Sequence, residues 1–123
     1  MIIKLNGEDY NVSTKLAVAY DIEFTKKKKI GEIVSSEPDI KAIIEILYFG
    51  FKKENAGITL KEFEELVLNS DEMSYINLQK EFSVFSNLLI STEKTEVEVR
   101  QMVEDLFKKG KEEAEKELNN EKN

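Results

Sequence analysis

The stretch Ile40-Lys41-Ala42-Ile43-Ile44-Glu45-Ile46-Leu47-Tyr48-Phe49-Gly50-Phe51 decides the fold. Ile40, Ile43, Ile44, Leu47, Tyr48 and Phe51 fall at i, i+3, i+4, i+7, i+8 and i+11, which lines one face of a helix. At about 100° per residue, Ile46 and Phe49 point to the other side. A helix apolar nearly all round either forms the centre of a bundle or lies in an interface between chains. The predicted helix covers residues 38–54. Pro38 is tolerated in its first turn, Lys52 and Lys53 suit its C-terminal dipole, and Asn55-Ala56-Gly57 supplies the way out. Gly50 costs about 1 kcal/mol inside a helix relative to Ala. Its reading is close packing against a hairpin or another helix.

Upstream, residues 2–12 read as a β-hairpin. Ile2, Ile3 and Leu5 precede Asn6-Gly7, the strongest two-residue hairpin signal, and Tyr10 and Val12 alternate on the return. Two strands alone are marginal in water, so the hairpin must find a partner surface. Ser13-Thr14 offers an N-cap for a helix over about 15–27. Leu16, Ala19, Tyr20 and Phe24 are its predicted face, widened by Val18 and Ile22. Lys26 to Lys29 read as a solvated helix end, with Gly31 as the stop. Residues 30–37 read as a connector, with an extended piece at Ile33-Val34.

Downstream, Thr59-Leu60-Lys61-Glu62 and Thr95-Glu96-Val97-Glu98 are capping boxes. The first opens a short helix with Leu60, Phe63, Leu66 and Val67. A fourth helix over 73–90 turns Tyr75, Leu78, Phe82, Phe85 and Leu89 inward, with Ile76 pointing away. The second box opens a fifth helix with Val99, Met102, Val103 and Leu106 on one face; Thr92 is a competing start. The fold class is therefore mainly α with an N-terminal β-hairpin, a small bundle of about five helices. The organisation is one domain over 1–107 and a charged tail over 108–123. In that tail five Lys and five Glu cancel. It can extend the last helix through pairs such as Glu112–Lys116, but it has little to bury and should fray.

Composition narrows the function. The 123 residues contain no His, Cys or Trp, and every basic residue but Arg100 is Lys. Thiolate nucleophiles, zinc-thiolate sites and a Ser/His/Asp triad cannot be drawn. The net charge of −7 disfavours non-specific contact with nucleic acid or anionic lipid. No apolar run reaches the ~18 residues of a membrane span, and Met1 to Gly7 does not read as a signal peptide. The expected setting is a cytoplasm, without nucleic acid or membrane as a partner.

The carboxylates are the remaining candidates for chemistry. Glu62, Glu64, Glu65, Asp71 and Glu72 cluster in sequence, but Glu62 has a capping task. Asn69 to Glu72 lacks the alternating ligands and central Gly of a calcium loop. These acids read as a solvated face, and Asp21 and Glu23 as partners of neighbouring Lys. No glycine spacing cradles a phosphate. No cofactor or metal is expected, and the chain is read as a protein that acts by contact.

The order of these features resembles a known family. Ile3 to Tyr10 followed by Leu16 to Glu23 looks like its opening strand, Asn-Gly turn, return strand and helix. Ile46 to Asn55 followed by Ile58 to Leu66 looks like its second landmark, a helix ending near Lys-x-Glu-Asn and then an acidic capped helix. The family is the tail assembly chaperones of long-tailed phages and prophages, particularly those of Gram-positive hosts. The resemblance covers about residues 2–90. It implies a non-enzymatic protein of the host cytoplasm that coats the tape measure protein while the tail tube protein polymerises around it. It further implies absence from the mature virion and, in many members, a second, frameshifted length.

A coat requires repeated weak contacts between copies and along the client. Ile46, Phe49 and Ile76 are the candidate self- or client-contact residues, with burial inside the monomer as the competing reading. The acidity would favour a basic client. A bacterial helical adaptor or toxin–antitoxin-like interaction protein and a carboxylate-dependent metal enzyme are the alternative classes.

Overall fold

The computed structural model describes residues 1–91 and 93–121, the last three through their backbone alone. Thr92, the competing helix start, and the final two residues of the tail lie outside the described residues. The chain is mainly helical behind an N-terminal two-stranded hairpin, as the sequence predicts. Strand β1 (Ile2–Leu5) pairs antiparallel with β2 (Glu8–Asn11), with Leu5 opposite Glu8 across the two-residue turn. Asn6 and Gly7 both take positive φ, +54° and +78°, as a primed turn demands. Alternation buries Ile3 and Leu5 and turns Ile2 and Lys4 outward.

Six helices are described: α1 (Leu16–Lys26), α2 (Ile30–Ser35), α3 (Ile40–Glu54), α4 (Leu60–Leu68), α5 (Tyr75–Ile90) and α6 (Glu96–Glu121). The additional helix, α2, replaces the expected connector. Its start is held by the Glu23 carboxylate, which accepts the Ile30 N–H at 2.7 Å, and Ile33 is buried rather than extended.

The central position of α3 follows from its sequence. It packs against α1, α4, α5 and β2, and buries Ile43, Ile44, Ile46, Leu47, Gly50 and Phe51. Asp39 caps it, accepting the Ala42 N–H at 2.9 Å. Gly50 is where the hairpin exit crosses the helix. The Ser13 N–H donates to the Gly50 carbonyl at 3.0 Å. A Cβ on Gly50 would collide with the Ser13 carbonyl oxygen and stand 2.8 Å from Val12 Cγ1 and 2.9 Å from a Phe85 ring carbon. The glycine thus admits the hairpin and α5 together. On the other side of α3, Phe51 and Phe63 rings lie 4.3 Å apart, centroid to centroid, beside Tyr48 and Tyr10.

Both capping boxes form. Thr59 and Glu62 exchange their bonds at 3.2 and 3.3 Å, as do Thr95 and Glu98. Helix α5 is covered on two sides. Leu78, Phe82, Phe85 and Leu89 enter the main core, while Val84 and Leu88 meet Val99 and Val103 of α6 in a second cluster. Residues 108–121 continue α6, and residues 108–118 are exposed throughout. Among the described residues, no helix is long and apolar enough to cross a membrane.

Candidate contact surfaces

The sequence places Leu16, Tyr20 and Phe24 on the inner face of α1; the structure places them outside. They are 83%, 66% and 74% exposed, whereas Val18, Ala19 and Ile22 are buried. Both sets recur at helical spacing, so periodicity alone cannot choose between them. Two ion pairs accompany the observed rotation. Asp21 pairs with Lys53 at 2.9 Å and Lys26 with Glu45 at 3.3 Å, both reaching α3. Val18, Ala19 and Ile22 face the core, and Leu16, Tyr20 and Phe24 form an outer ridge. Tyr20 and Phe24 stack on that ridge, with centroids 6.3 Å apart. Aromatic side chains carry roughly 150–250 Å² each, so the three residues present on the order of 400 Å² of mainly apolar surface. That matches the largest apolar patch of a typical soluble monomer, a patch that is often functional.

A second candidate is a groove along the outer side of α5, where it meets α2 and α6. Its volume is about 620 Å³, and Val34, Tyr75, Phe82, Ile90 and Phe107 supply its apolar lining. Tyr75, expected inside, is 64% exposed, and Ile90 is 57% exposed. Leu106, also expected on an inner face, is 58% exposed. The wall of α6 turns it away by presenting Val99 and Val103 to α5 instead.

The three residues singled out as contacts do not come together. Ile46 is 2% exposed and is corrected from surface to core. It lies beneath α2, near Ile33 and Ala42, because α3 is covered on more than one side. Phe49 is half-buried against the main core, with the Lys52 ammonium 4.8 Å from its ring centroid. Ile76 is 56% exposed at the start of α5.

Several of the acidic residues have structural partners: Glu62 completes its capping box, Asp21 pairs with Lys53, and Glu23 accepts the Ile30 N–H rather than pairing with a lysine. Glu72 accepts the Gly7 N–H at 2.8 Å and the Ser70 hydroxyl at 2.7 Å, and Ser70 Oγ accepts the Asn6 N–H at 3.1 Å. The hairpin turn is thereby pinned to the α4–α5 loop. The Ser70 hydroxyl lowers the Glu72 pKa, slight desolvation opposes it, and the hairpin N–H groups reinforce it. Glu81 and Glu96 hold the lone arginine. Arg100 donates to both Glu81 oxygens at 2.9 and 3.1 Å, to Glu96 at 2.9 Å and to the Ile2 carbonyl at 2.5 Å. Burial pushes the Glu96 carboxyl up, but the Arg100 guanidinium and the Ile2 N–H more than offset it and leave the pKa lowered. A planar fork with five donors makes four bonds to three groups here, two of them bidentate to Glu81, which the three donors of a lysine ammonium cannot reproduce. This hub gave no signal in the sequence beyond its singularity. Among the described residues, no group of three or more acidic side chains is placed to hold a metal ion.

Compared with protein-family models, curated proteins and solved structures, the chain gives no match.

Proposed function

We propose that this chain is a tail assembly chaperone that binds and coats the tape measure protein while the tail tube forms, acting in the host cytoplasm and by contact rather than catalysis. The reading starts from the sequence resemblance. One structural observation supports it: a small acidic domain leaves apolar helix surface uncovered, above all the groove along α5.

That groove suits a helical client. Tyr75 to Ile90 spans about 22 Å at 1.5 Å per residue, enough for four turns of a second helix. Helix-in-groove recognition places apolar side chains at i, i+3, i+4 and i+7 into a trough; here the apolar lining is interspersed with Glu37, Gln79, Ser83, Ser86 and Asn87, which would meet polar positions of the client. A long helical client with exposed apolar stripes would be kept from aggregating by many copies seated along it. Ile76, exposed one residue after the groove-lining Tyr75, would extend the contact; Ile46 is core, and Phe49 is half-buried against it. The tail tube protein enters as the product assembled around the coated client.

Co-expression with fragments of the tape measure protein tests the reading. The expected result is a complex that purifies through several steps, weakened at least tenfold by Tyr75→Asp/Ile90→Asp with unchanged helicity. Failure of every fragment to co-purify would sink it.

A further inference from the structure

We infer that copies of this chain join head to tail, the α1 ridge of one seating in the acid-rimmed groove beside α4 of the next. This deepens the chaperone reading and rests on it for its purpose, although the geometry is independent of any client. The ridge is Leu16, Tyr20 and Phe24, and it runs into Lys27, Lys28 and Lys29, all exposed. Those cations form a basic island on a chain of net charge −7. The complementary surface is a groove of about 380 Å³ between the hairpin turn and α4. Half-buried Ile58 and Leu66 provide its apolar part, and Glu62 and Glu65 stand at its edge.

Charge selects this pairing over α1 against α1. An antiparallel α1 pair that sets Leu16 against Phe24 brings the partner's lysines to Lys15 and the positive start of the helix. A parallel pair brings the two lysine runs together. Both repel, whereas carboxylates at the α4 groove attract.

The two surfaces diverge. On α3, Glu45 and Lys53 meet α1 while Tyr48 and Phe51 meet Phe63 of α4. At about 100° per residue these pairs are centred roughly 130° apart. Unlike surfaces on different sides of one molecule make a heterologous contact, which propagates into an open chain unless it closes as a ring. The ridge offers at most on the order of 400 Å² to each contact, half of the ~800 Å² per partner in stable complexes. Single contacts are therefore weak and assembly builds with concentration, as a reversible coat requires.

Sedimentation of the purified full-length chain, without client, tests this. Its weight-average mass should rise continuously with concentration, past the dimer. Tyr20→Gln/Phe24→Gln should hold the chain monomeric with its melting temperature unchanged, because both side chains are already exposed. Glu65→Lys should weaken association at least tenfold, and Lys28→Glu in the same chain should restore most of it. Mixing the ridge variant with the Glu65→Lys variant should give dimers but no longer chains, since no copy then has two sound surfaces. A wild-type chain that stays monomeric at millimolar concentration overturns the proposal and leaves the ridge to another protein. So does association indifferent to the ridge variant, or assembly that ends at a symmetric dimer. A monomeric chain that still binds the tape measure protein overturns this contact alone; one that assembles but never binds it overturns the functional reading alone.

Discussion

Replacing Gly50 with Ala sets two effects against each other within one helix. Helix propensity favours Ala by about 1 kcal/mol at an interior position. The added methyl, however, meets the Ser13 carbonyl oxygen, Val12 Cγ1 at 2.8 Å and Phe85 at 2.9 Å. Two of these could repack; the carbonyl belongs to the backbone and cannot rotate away. The hairpin exit must retreat by roughly 1 Å to reach ordinary contact distance, and that retreat strains the Ser13–Gly50 hydrogen bond, 3.0 Å long. Overpacking of this kind costs about 1–3 kcal/mol, and losing one buried hydrogen bond adds about 1 kcal/mol. The net expectation is destabilisation by about 2 kcal/mol, a melting temperature lower by roughly 8 °C for a domain of this size. Circular dichroism at 222 nm during urea and thermal unfolding measures it, at low concentration to suppress association. Gly110→Ala is the control, since nothing stands within 4 Å of its added Cβ. It gains the propensity without the collision and should raise helicity. A Gly50→Ala protein as stable as wild type, or more so, would refute the reasoning, because the spacing between hairpin and α3 would then not be fixed by this residue.

Arg100→Lys keeps the charge but loses the fork to Glu81, Glu96 and Ile2; it should cost about 1–2 kcal/mol, with hydrogen exchange quickening first in residues 96–107. Ile46→Ala should cost about 3 kcal/mol as a core truncation, against less than about 0.5 kcal/mol for the exposed Ile76→Ala, both by denaturant unfolding. Glu72 and Glu96 have lowered pKa values in the folded chain. Their contribution is therefore complete above the ordinary glutamate value of 4.5 and lost as pH falls through the lower folded values. Unfolding free energy should hold from pH 7 to about 5 and decline below, with a shallower decline in Glu96→Gln.

Local chemistry made much of the fold legible. Asn6-Gly7, Thr59 with Glu62, and Thr95 with Glu98 each act within a few residues, and each forms as read. The role of Gly50 was also readable, since a glycine retained inside the most apolar helix argues for a close approach. What could not be read was rotation. Helix α1 carries two apolar stripes, and the choice between them is made by contacts with α3, among them the pairs of Asp21 and Lys26, tens of residues away. Ile46 was misplaced for a related reason. A second apolar side on α3 fits an interface between chains or a central position within one, and only the placement of α2 and α1 shows that the second is realised.

The same limit hides the candidate surfaces from the sequence. Burying Leu16, Tyr20 and Phe24 would have removed more apolar surface than burying Val18, Ala19 and Ile22, yet the larger set is exposed. By area alone that choice is unfavourable, as each large apolar side chain left in water forgoes about 1.5–3 kcal/mol. Burial of Val18, Ala19 and Ile22 and the two ion pairs offset part of it; exposed pairs contribute only about 0–1 kcal/mol each. A ridge left outside at such a cost is expected where a sequence answers to a partner as well as to its own core, because local rules fail most often at functional surfaces. The acidity has a matching role. Its whole excess lies on residues 1–107, since the tail is balanced, and in the proposed assembly it would keep copies bearing an apolar ridge apart except where Lys27 to Lys29 meet carboxylates. Raising the ionic strength should therefore act on the two parts of the contact differently. It screens the attraction between the lysine run and the α4 rim over a Debye length of about 8 Å at physiological salt, and it also relieves the general repulsion between acidic chains. Association should pass through a maximum as salt rises; a monotonic increase would mean that the lysines contribute nothing and that apolar burial alone joins the copies.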